Sequence, residues 1–538
     1  MSVPVLDEAT IESVHEGYRN GSLTCSRLVE FYLHRVKRHD LRTDGRPPLN
    51  SIVSIDPNVR EMAASCDREM AAGGVSKPLH GIPVWVKDTI SVAGLAASAG
   101  LLDFADTVAR EDATLVANLR RAGAVIMGTT AMSVVGMGSG AWGSRFGRAG
   151  NAYDTREEPG GSSNGAAIAV SANFGMFAVG VDDCCSIIVP AACNGVVGLR
   201  PSVGLVPREG VVFAATDTSP GPITRSVGEL ARALEGMASG GPLRVAERSA
   251  SAQSTLQGKR IGVLARVGNW ALEVPENMRA SFEQALRDLG TLGATVVPDF
   301  KLEGVRLRRL SDINYHNVIL QHLKARSAPP RSMRELFNLG GLTPGPMRDL
   351  SRTIIPRLWP NVRLPDVFAS WYGRIIRKNQ QALAAEMGQK GLDALVFLSL
   401  PLHSQMATVA QAPQLTVPAG YFRKSDTGAE LPVGLSFLGR PGDESTLIAL
   451  TGAYESGTRH RRPPGFQDEP GVEMGDPLDI ELFNAVKLAI AHKVRDAMRL
   501  RGPKDEPLTT EEFTAIVDGV KAEHKIQGWM GSYSQPAA

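Results

Sequence analysis

Apolar residues between Asp7 and Arg38 recur at helical spacing: Ile11, Val14, Leu23, Leu28, Val29, Phe31, Tyr32 and Val36. Gly21 interrupts them, so residues 7–38 are predicted to form two helices. From Ser51 to Gly128 the pattern changes. Short β-rich runs (Ser51–Ile55, Ile82–Val86, Ala124–Met127) alternate with helical stretches such as Asp112–Ala122, which predicts a mainly parallel or mixed sheet with helices on both faces. A second strand-helix-strand unit follows at Gly258–Leu264, Glu276–Leu289 and Ala294–Val297. The apolar run Ala166–Gly180 is long enough for one buried helix. Lys301–Lys378 carries seven prolines and irregular apolar spacing, which fits helices packed on the sheet or a segment shaping a cavity mouth. The expected class is α/β, with three layers (α/β/α) around a large mixed central sheet. The body spans residues 1–464, residues 465–475 form a linker, and residues 476–538 form a helical extension patterned at 479–500 and 509–524. That extension is left either to pack on the body or to serve a homodimer.

Composition narrows the partners. With 43% hydrophobic and 21% charged residues, the chain is ordinary for a globular protein. A formal net charge of +2 leaves no nucleic-acid footprint, and clusters such as Arg306–Arg309 and Arg459–Arg462 are too short to suggest more than solvated faces. Met1–Thr10 has no basic segment followed by an apolar one, and no window approaches the roughly 18 apolar residues of a membrane span. A cytoplasmic protein without a membrane partner or anchor is expected. Cys25, Cys66, Cys184, Cys185 and Cys193 show no metal-type spacing and leave an odd thiol, which suits a reducing compartment.

The candidate chemistry lies in three residues. Ser162, in the run Pro159-Gly160-Gly161-Ser162-Ser163-Asn164-Gly165, and Ser186, in Asp182-Asp183-Cys184-Cys185-Ser186-Ile187, are 24 positions apart on either side of the apolar run. Lys87 lies 75 positions before Ser162 and ends the buried-strand pattern Gly81–Val86. A serine hydroxyl attacks poorly unless a partner takes its proton. A lysine carried into an apolar interior loses its charge easily and so can be that base. Gly160, Gly161 and Gly165 give the serine loop backbone freedom for a crowded turn.

These segments resemble the amidase signature family of serine hydrolases, with its Ser-Ser-Lys triad. His80–Asp88 resembles the lysine segment, Pro159–Ser163 the glycine-serine signature, and Ser186–Pro201 the nucleophile segment. Leu431–Pro441 resembles the family's late strand. The blocks occur in family order between about Leu6 and Pro464. The resemblance implies Ser186 as nucleophile, Ser162 as proton relay held by a cis Gly161–Ser162 peptide, and Lys87 as base. It makes Ser163 and Asp182 supporting residues, and draws oxyanion donors from the turn Asp183-Cys184-Cys185-Ser186. It also implies no cofactor and no metal. The segment Thr130–Met137 corresponds to one that borders the acyl side of the site, making Gly136 and Met137 candidate substrate contacts. Ala131 and Val134 replace the usual asparagine and glutamate there, which favours an apolar or aryl acyl group, although plain core packing explains them equally well. Trp142 and Phe146 add aromatic surface nearby, whereas His403 and His460 read as ordinary histidines.

The chain also departs from the family. Cys184 and Cys185 stand where glycines are usual, and Ile188 stands where an arginine is usual. The cysteines read as small apolar residues rather than as a vicinal disulfide. Without that arginine, Asp182 and its extra neighbour Asp183 lack an evident cation, so at least one carboxyl should have a raised pKa unless Arg200 compensates. The expected activity is hydrolysis of a small-molecule carboxylic amide, at a linear carbon–nitrogen bond other than a peptide bond, through an acyl-enzyme. The alternatives are an esterase or acyltransferase using the same triad, a catalytically weak binding homologue, and, least favoured, the glutaminase component of a transamidation complex.

Overall fold

The run Pro83–Lys87 is buried at all five positions and forms strand β2 inside a sheet that has twelve strands among the described residues. In the computed structural model the described residues are 6–40, 48–101, 104–133, 148–238, 255–306, 366–465, 477–501 and 510–524. The remaining strands are β1 (Ile52–Ile55), β3 (Val125–Thr130), β4 (Phe177–Asp182), β5 (Val197–Arg200), β6 (Ser219–Thr224), β7 (Arg260–Val267), β8 (Trp270–Ala271), β9 (Thr295–Leu302), β10 (Ala394–Leu398), β11 (Gln414–Arg423) and β12 (Glu430–Leu438). They lie in the order β1-β3-β2-β4-β6-β5-β11-β12-β10-β7-β8, with β9 also on β7. The pairs β2/β3, β2/β4, β7/β10 and β7/β9 are parallel and the others antiparallel. One mixed sheet, flanked by helices, therefore holds both the lysine strand and the late strand.

The two opening helices form at α1 (Ile11–Arg19) and α2 (Cys25–Arg35), capped by Thr10 and Thr24 side chains that accept the Ser13 and Arg27 amides. Helices α3 (Val59–Gly73) and α4 (Thr114–Arg121) follow β1 and precede β3. The apolar run 166–180 is not one helix. It divides into α5 (Asn164–Ser171) and strand β4. Asn173 adopts a left-handed φ of 56°, and Gly175 packs so closely on Trp85 that a Cβ would lie 2.8 Å from its ring. The helix stops there, and the stretch beyond completes the sheet between β2 and β6. Both halves are wholly buried, so no polar periodicity marks the change. Short helix α6 (Ile188–Cys193) follows the second serine, and α7 (Val227–Met237), α8 (Glu276–Thr291), α9 (Asp366–Gln389), α10 (Gln405–Val409) and α11 (Glu444–Thr458) are the further helices among the described residues of the body. Most of the proline-rich segment (307–365) and of the expected linker (466–475) lies outside the described residues.

The tail forms α12 (Ile480–Arg501) and α13 (Thr510–Glu523). Asn484 on α12 accepts the Ile55 amide at 2.9 Å and donates to the Ile55 carbonyl at 2.8 Å, which satisfies the free edge of β1. Lys487 is buried and donates to Asn50 Oδ1 at 2.7 Å. Phe483, Ile490 and Val517 join the same hydrophobic core as the sheet. No described helix is long and apolar enough to cross a membrane.

Glu455 on α11 yields a stability prediction. Its Oε2 accepts the Val227 amide at the start of α7 at 2.9 Å, and burial pushes its carboxyl up to about 7. A carboxyl raised in the folded state contributes stability at low pH that is lost as pH rises through that value. Glu455→Gln keeps an acceptor for Val227 and removes the buried charge. The variant is expected to be more stable than the parent above about pH 7, by on the order of 1 kcal/mol, and to lose that advantage below the ordinary carboxyl range. Denaturant melts at the two pH values measure it.

Candidate active site

Three segments of the sheet converge at the end of β2. Lys87 is the last residue of that strand and is buried. Its Nζ donates to Ser162 Oγ at 2.7 Å and to the Val181 carbonyl, on neighbouring β4, at 3.1 Å. Burial lowers the lysine to about 8, although the carboxylates of Asp183 and Asp182 and the Cys185 thiol act in the opposite direction. At neutral pH a useful fraction is thus already neutral and able to act as a base.

Ser162 is buried at the entrance to α5, and its Gly161–Ser162 peptide is cis. The loop must pass close to α6. Gly160 has a φ of 70°, and a Cβ there would lie 2.9 Å from Pro190 Cα. At Gly165 a Cβ would lie 2.4 Å from the Ala131 amide nitrogen. These contacts seat the serine loop between the nucleophile segment and the end of β3. Ser163 accepts the Val181 amide at 3.2 Å through its Oγ, and its own amide donates to the Ser186 carbonyl at 3.1 Å. It therefore ties the two serine segments and β4 together.

Ser186 is buried in the turn between β4 and α6. Among the described residues no hydrogen bond joins its hydroxyl to that of Ser162; the two segments are linked instead by the Ser163 amide on the Ser186 carbonyl and by Asn194 Nδ2 on the Pro159 carbonyl at 2.8 Å. Such contacts are commonly loose before substrate arrives. The amides of Cys185 and Ser186 donate to no acceptor among the described residues, which leaves two N–H groups beside the hydroxyl. Cys184 and Cys185 are partly exposed, free thiols, so they form no vicinal disulfide.

Arg200 does compensate for the missing arginine. On β5, its Nη1 donates to the Asp182 carbonyl at 2.6 Å and to Asp182 Oδ1 at 2.9 Å, while Nη2 donates to the Asp217 carbonyl at 2.7 Å. Asp182 Oδ2 accepts the Ile187 amide at 2.7 Å, so this fully buried ion pair closes the serine turn from behind. Asp183 instead accepts from Thr218 Oγ1, and burial raises its carboxyl. Burial, reinforced by the Asp183 charge, pushes neighbouring Asp217 up to about 6, while Tyr372 donates to its Oδ2 at 3.1 Å. No motif or periodicity points to Thr218, Asp217 or Tyr372, because these polar residues are brought to the turn only by tertiary packing.

Removing one partner of a buried ion pair strands the other charge, at a cost of about 3–5 kcal/mol. Arg200→Met is expected to lose stability on that scale in chemical denaturation, and to lose activity because Asp182 no longer holds Ile187. A variant with parental stability would show that the pair does not brace the turn.

Gly136 and Met137, with Val134, Trp142 and Phe146, lie outside the described residues. The described part of that segment borders Ser162: the Ser133 amide donates to the Ser162 carbonyl at 3.2 Å, and the buried Ala131 accepts the Gly165 amide at 3.0 Å. His403 and His460 are engaged by the Leu398 carbonyl at 3.2 Å and by Asp288 at 2.9 Å.

Comparison with known proteins bears on the family and the fold. The Amidase family model matches residues 27–325. A probable amidase of Arabidopsis thaliana is 28% identical over 86% of this chain and 92% of its own length. A glutamyl-tRNA(Gln) amidotransferase component from Moorella thermoacetica is 31% identical over 75% of this chain and 88% of its own. The solved structure of native peptide amidase from Stenotrophomonas maltophilia superposes with a TM-score of 0.71 at 30% identity, covering 86% of this chain and 99% of that one. With a family model spanning more than half of its length and a fold shared with such structures, this chain belongs to the amidase family.

Proposed function

We propose that the protein is an amidohydrolase that cleaves a carboxylic amide, with an apolar or aryl acyl group, through an acyl-enzyme on Ser186. The observation that carries this reading is the buried 2.7 Å contact from Lys87 Nζ to Ser162 Oγ, with the lysine lowered to about 8. Neutral Lys87 takes the Ser162 proton as Ser162 takes that of Ser186, and Ser186 Oγ attacks the amide carbonyl. The Cys185 and Ser186 amides receive the developing oxyanion. As the intermediate collapses the C–N bond breaks, and the relay runs backward to protonate the departing amine. Water then attacks the ester by the same route and frees the acid and the serine. The relatives known as amidases, including a peptide amidase, support the amide class.

The test is a panel of aryl, aliphatic and terminal peptide amides with matched esters, together with a fluorophosphonate and intact-mass measurement. The reading expects amide turnover and one phosphonyl adduct mapped to Ser186. Turnover confined to esters would move the protein to the esterase reading. No turnover and no adduct would leave it a binding homologue.

A further inference from the structure

Helix α12 lies beyond the Leu6–Pro464 blocks, yet it carries a lysine into the body beside the strands of the active site. Lys487 is buried, and its Nζ donates to Asn50 Oδ1 at 2.7 Å. Asn50 stands just before β1 with a φ of 51°; its amide donates to the Asp40 carbonyl at 3.2 Å and its Nδ2 to the Arg148 carbonyl at 3.2 Å. Asp40, which ends a π-helical turn after α2 (Val36–Asp40), fixes the residues that follow. One of its carboxylate oxygens accepts the Ser51 amide at 2.6 Å and the Ser51 hydroxyl at 2.5 Å, and the other accepts the Ile52 amide at 3.1 Å. Burial raises the Asp40 carboxyl and the Lys487 charge opposes that rise, so α12 also supplies a cation to this buried acid.

From Ser51 the contacts run into the relay. The Ser51 carbonyl accepts the Ala131 amide at 2.7 Å, and the Ala131 carbonyl accepts the Gly165 amide in the first turn of α5 at 3.0 Å. The fit is close on both sides: a Cβ on Gly165 would lie 2.5 Å from the Ser51 carbonyl oxygen and 2.4 Å from the Ala131 amide nitrogen. Just beyond, the Ser133 amide donates to the Ser162 carbonyl at 3.2 Å. The same end of β3 also holds the base. Ile52 pairs with Thr130 across β1 and β3, Thr130 pairs with Lys87 across β3 and β2, and the Thr130 carbonyl accepts the Asp88 amide at 3.1 Å. The end of β3 therefore stands between the Asn50–Ser51 turn and both members of the 2.7 Å contact from Lys87 Nζ to Ser162 Oγ. An interior packed this closely passes a shift on.

We infer that Lys487 is a positioning residue for the Lys87–Ser162 relay, which makes the helical extension a working part of the active site. The inference rests on the relay reading above. Lys487 acts by setting where the Asn50–Ser51 turn stands and, through Thr130 and Ala131, where Ser162 stands relative to Lys87. A misplacement of about 1 Å at reacting groups can cost roughly 10²-fold in rate, so a modest slackening of this turn is enough to be read in kcat.

The experiment measures kcat, KM and fluorophosphonate labelling of Ser186 in full-length variants, with the best substrate of the panel above and a denaturant melt for each. Lys487→Met roughly matches the length of the lysine stem and removes the donor; its kcat is expected to fall by about 10- to 100-fold with KM little changed. Lys487→Arg keeps a donor and a charge and should recover most of that loss. Asn484→Ala breaks the bonds of the same helix to Ile55, at the other end of β1, and should lower stability without the loss of kcat. Asn50→Gly breaks the Lys487 contact from the other side, at a φ that glycine takes readily, and stands in for Lys487→Met should that variant fail to fold. The decisive comparison combines Lys487→Met with Ser162→Ala. A residue that acts through the relay should cost little further kcat once the Ser162 hydroxyl is gone, while its cost in stability persists. Unchanged kcat in a folded Lys487→Met protein would overturn the inference. So would a loss confined to KM, or a loss of kcat undiminished in the Ser162→Ala background. A parent protein that neither turns over substrate nor takes the phosphonyl group would overturn the relay reading and this inference with it, and those parent measurements tell the two failures apart.

Discussion

Lys87→Met is expected to lower kcat by about 10²–10⁴ while leaving a folded protein, since that is the usual worth of general-base assistance. Lys87 Nζ is the sole charged group hydrogen-bonded to Ser162 among the described residues, and methionine roughly matches the length of the buried lysine stem without offering a base. The pH profile gives a second reading. Because only the neutral lysine accepts a proton, the parent's rate should climb as pH rises through about 8, and the residual rate of the variant should lack that limb. Stability supplies the control. A lysine lowered by burial makes the unfolded chain bind more protons between about 8 and its ordinary value of 10.5, so parental stability rises with pH across that window. The methionine variant should lack this rise and be at least as stable as the parent at neutral pH. A variant that is folded, stable and as fast as the parent would remove Lys87 from the relay.

The parts of this molecule legible in the sequence are those whose pattern is local. The alternation of Ile82–Val86 and Ala124–Met127 with a helical stretch predicts a mainly parallel or mixed sheet, and β2 and β3 pair in parallel within a mixed one. The opening helices match their pattern to within a few residues, because their apolar spacing is regular and Gly21 separates them. The run 166–180 misleads because a helix and a strand buried on all sides carry the same apolar signature; only Asn173 and Gly175 mark the break. At the site, Lys87 and Ser162 stand out because strand pattern and glycine loop both announce themselves. The Arg200–Asp182 pair can be asked about but not seen in one dimension, since it depends on β5 and the end of β4 both lying beside β6. The tail reads only as a helical extension. Its seat on the edge of β1 rests on Asn484 and Lys487 meeting Ile55 and Asn50 more than four hundred residues earlier, a separation no local pattern spans.

Ser186→Ala is expected to have the largest effect of any single change, lowering kcat by on the order of 10⁶ by the measure of other serine hydrolases. The substitution removes one oxygen. The backbone contacts that shape the turn, the Asp182 acceptor for Ile187 and the Ser186 carbonyl that takes the Ser163 amide, remain in place. Fold and substrate affinity should therefore persist, and the loss should fall on kcat rather than on KM. Ser162→Ala makes the complementary measurement. It keeps the nucleophile but breaks the connection to Lys87 Nζ, so the relay reading expects a loss nearer that of Lys87→Met. Combining Ser162→Ala with Lys87→Met should then add little to either alone, because residues that act as one unit give non-additive losses. Full additivity in that cycle would mean that Lys87 and Ser162 act separately. A fluorophosphonate adduct on the Ser186→Ala protein would place the nucleophile elsewhere in the turn, with the partly exposed Cys184 and Cys185 as the residues to map first.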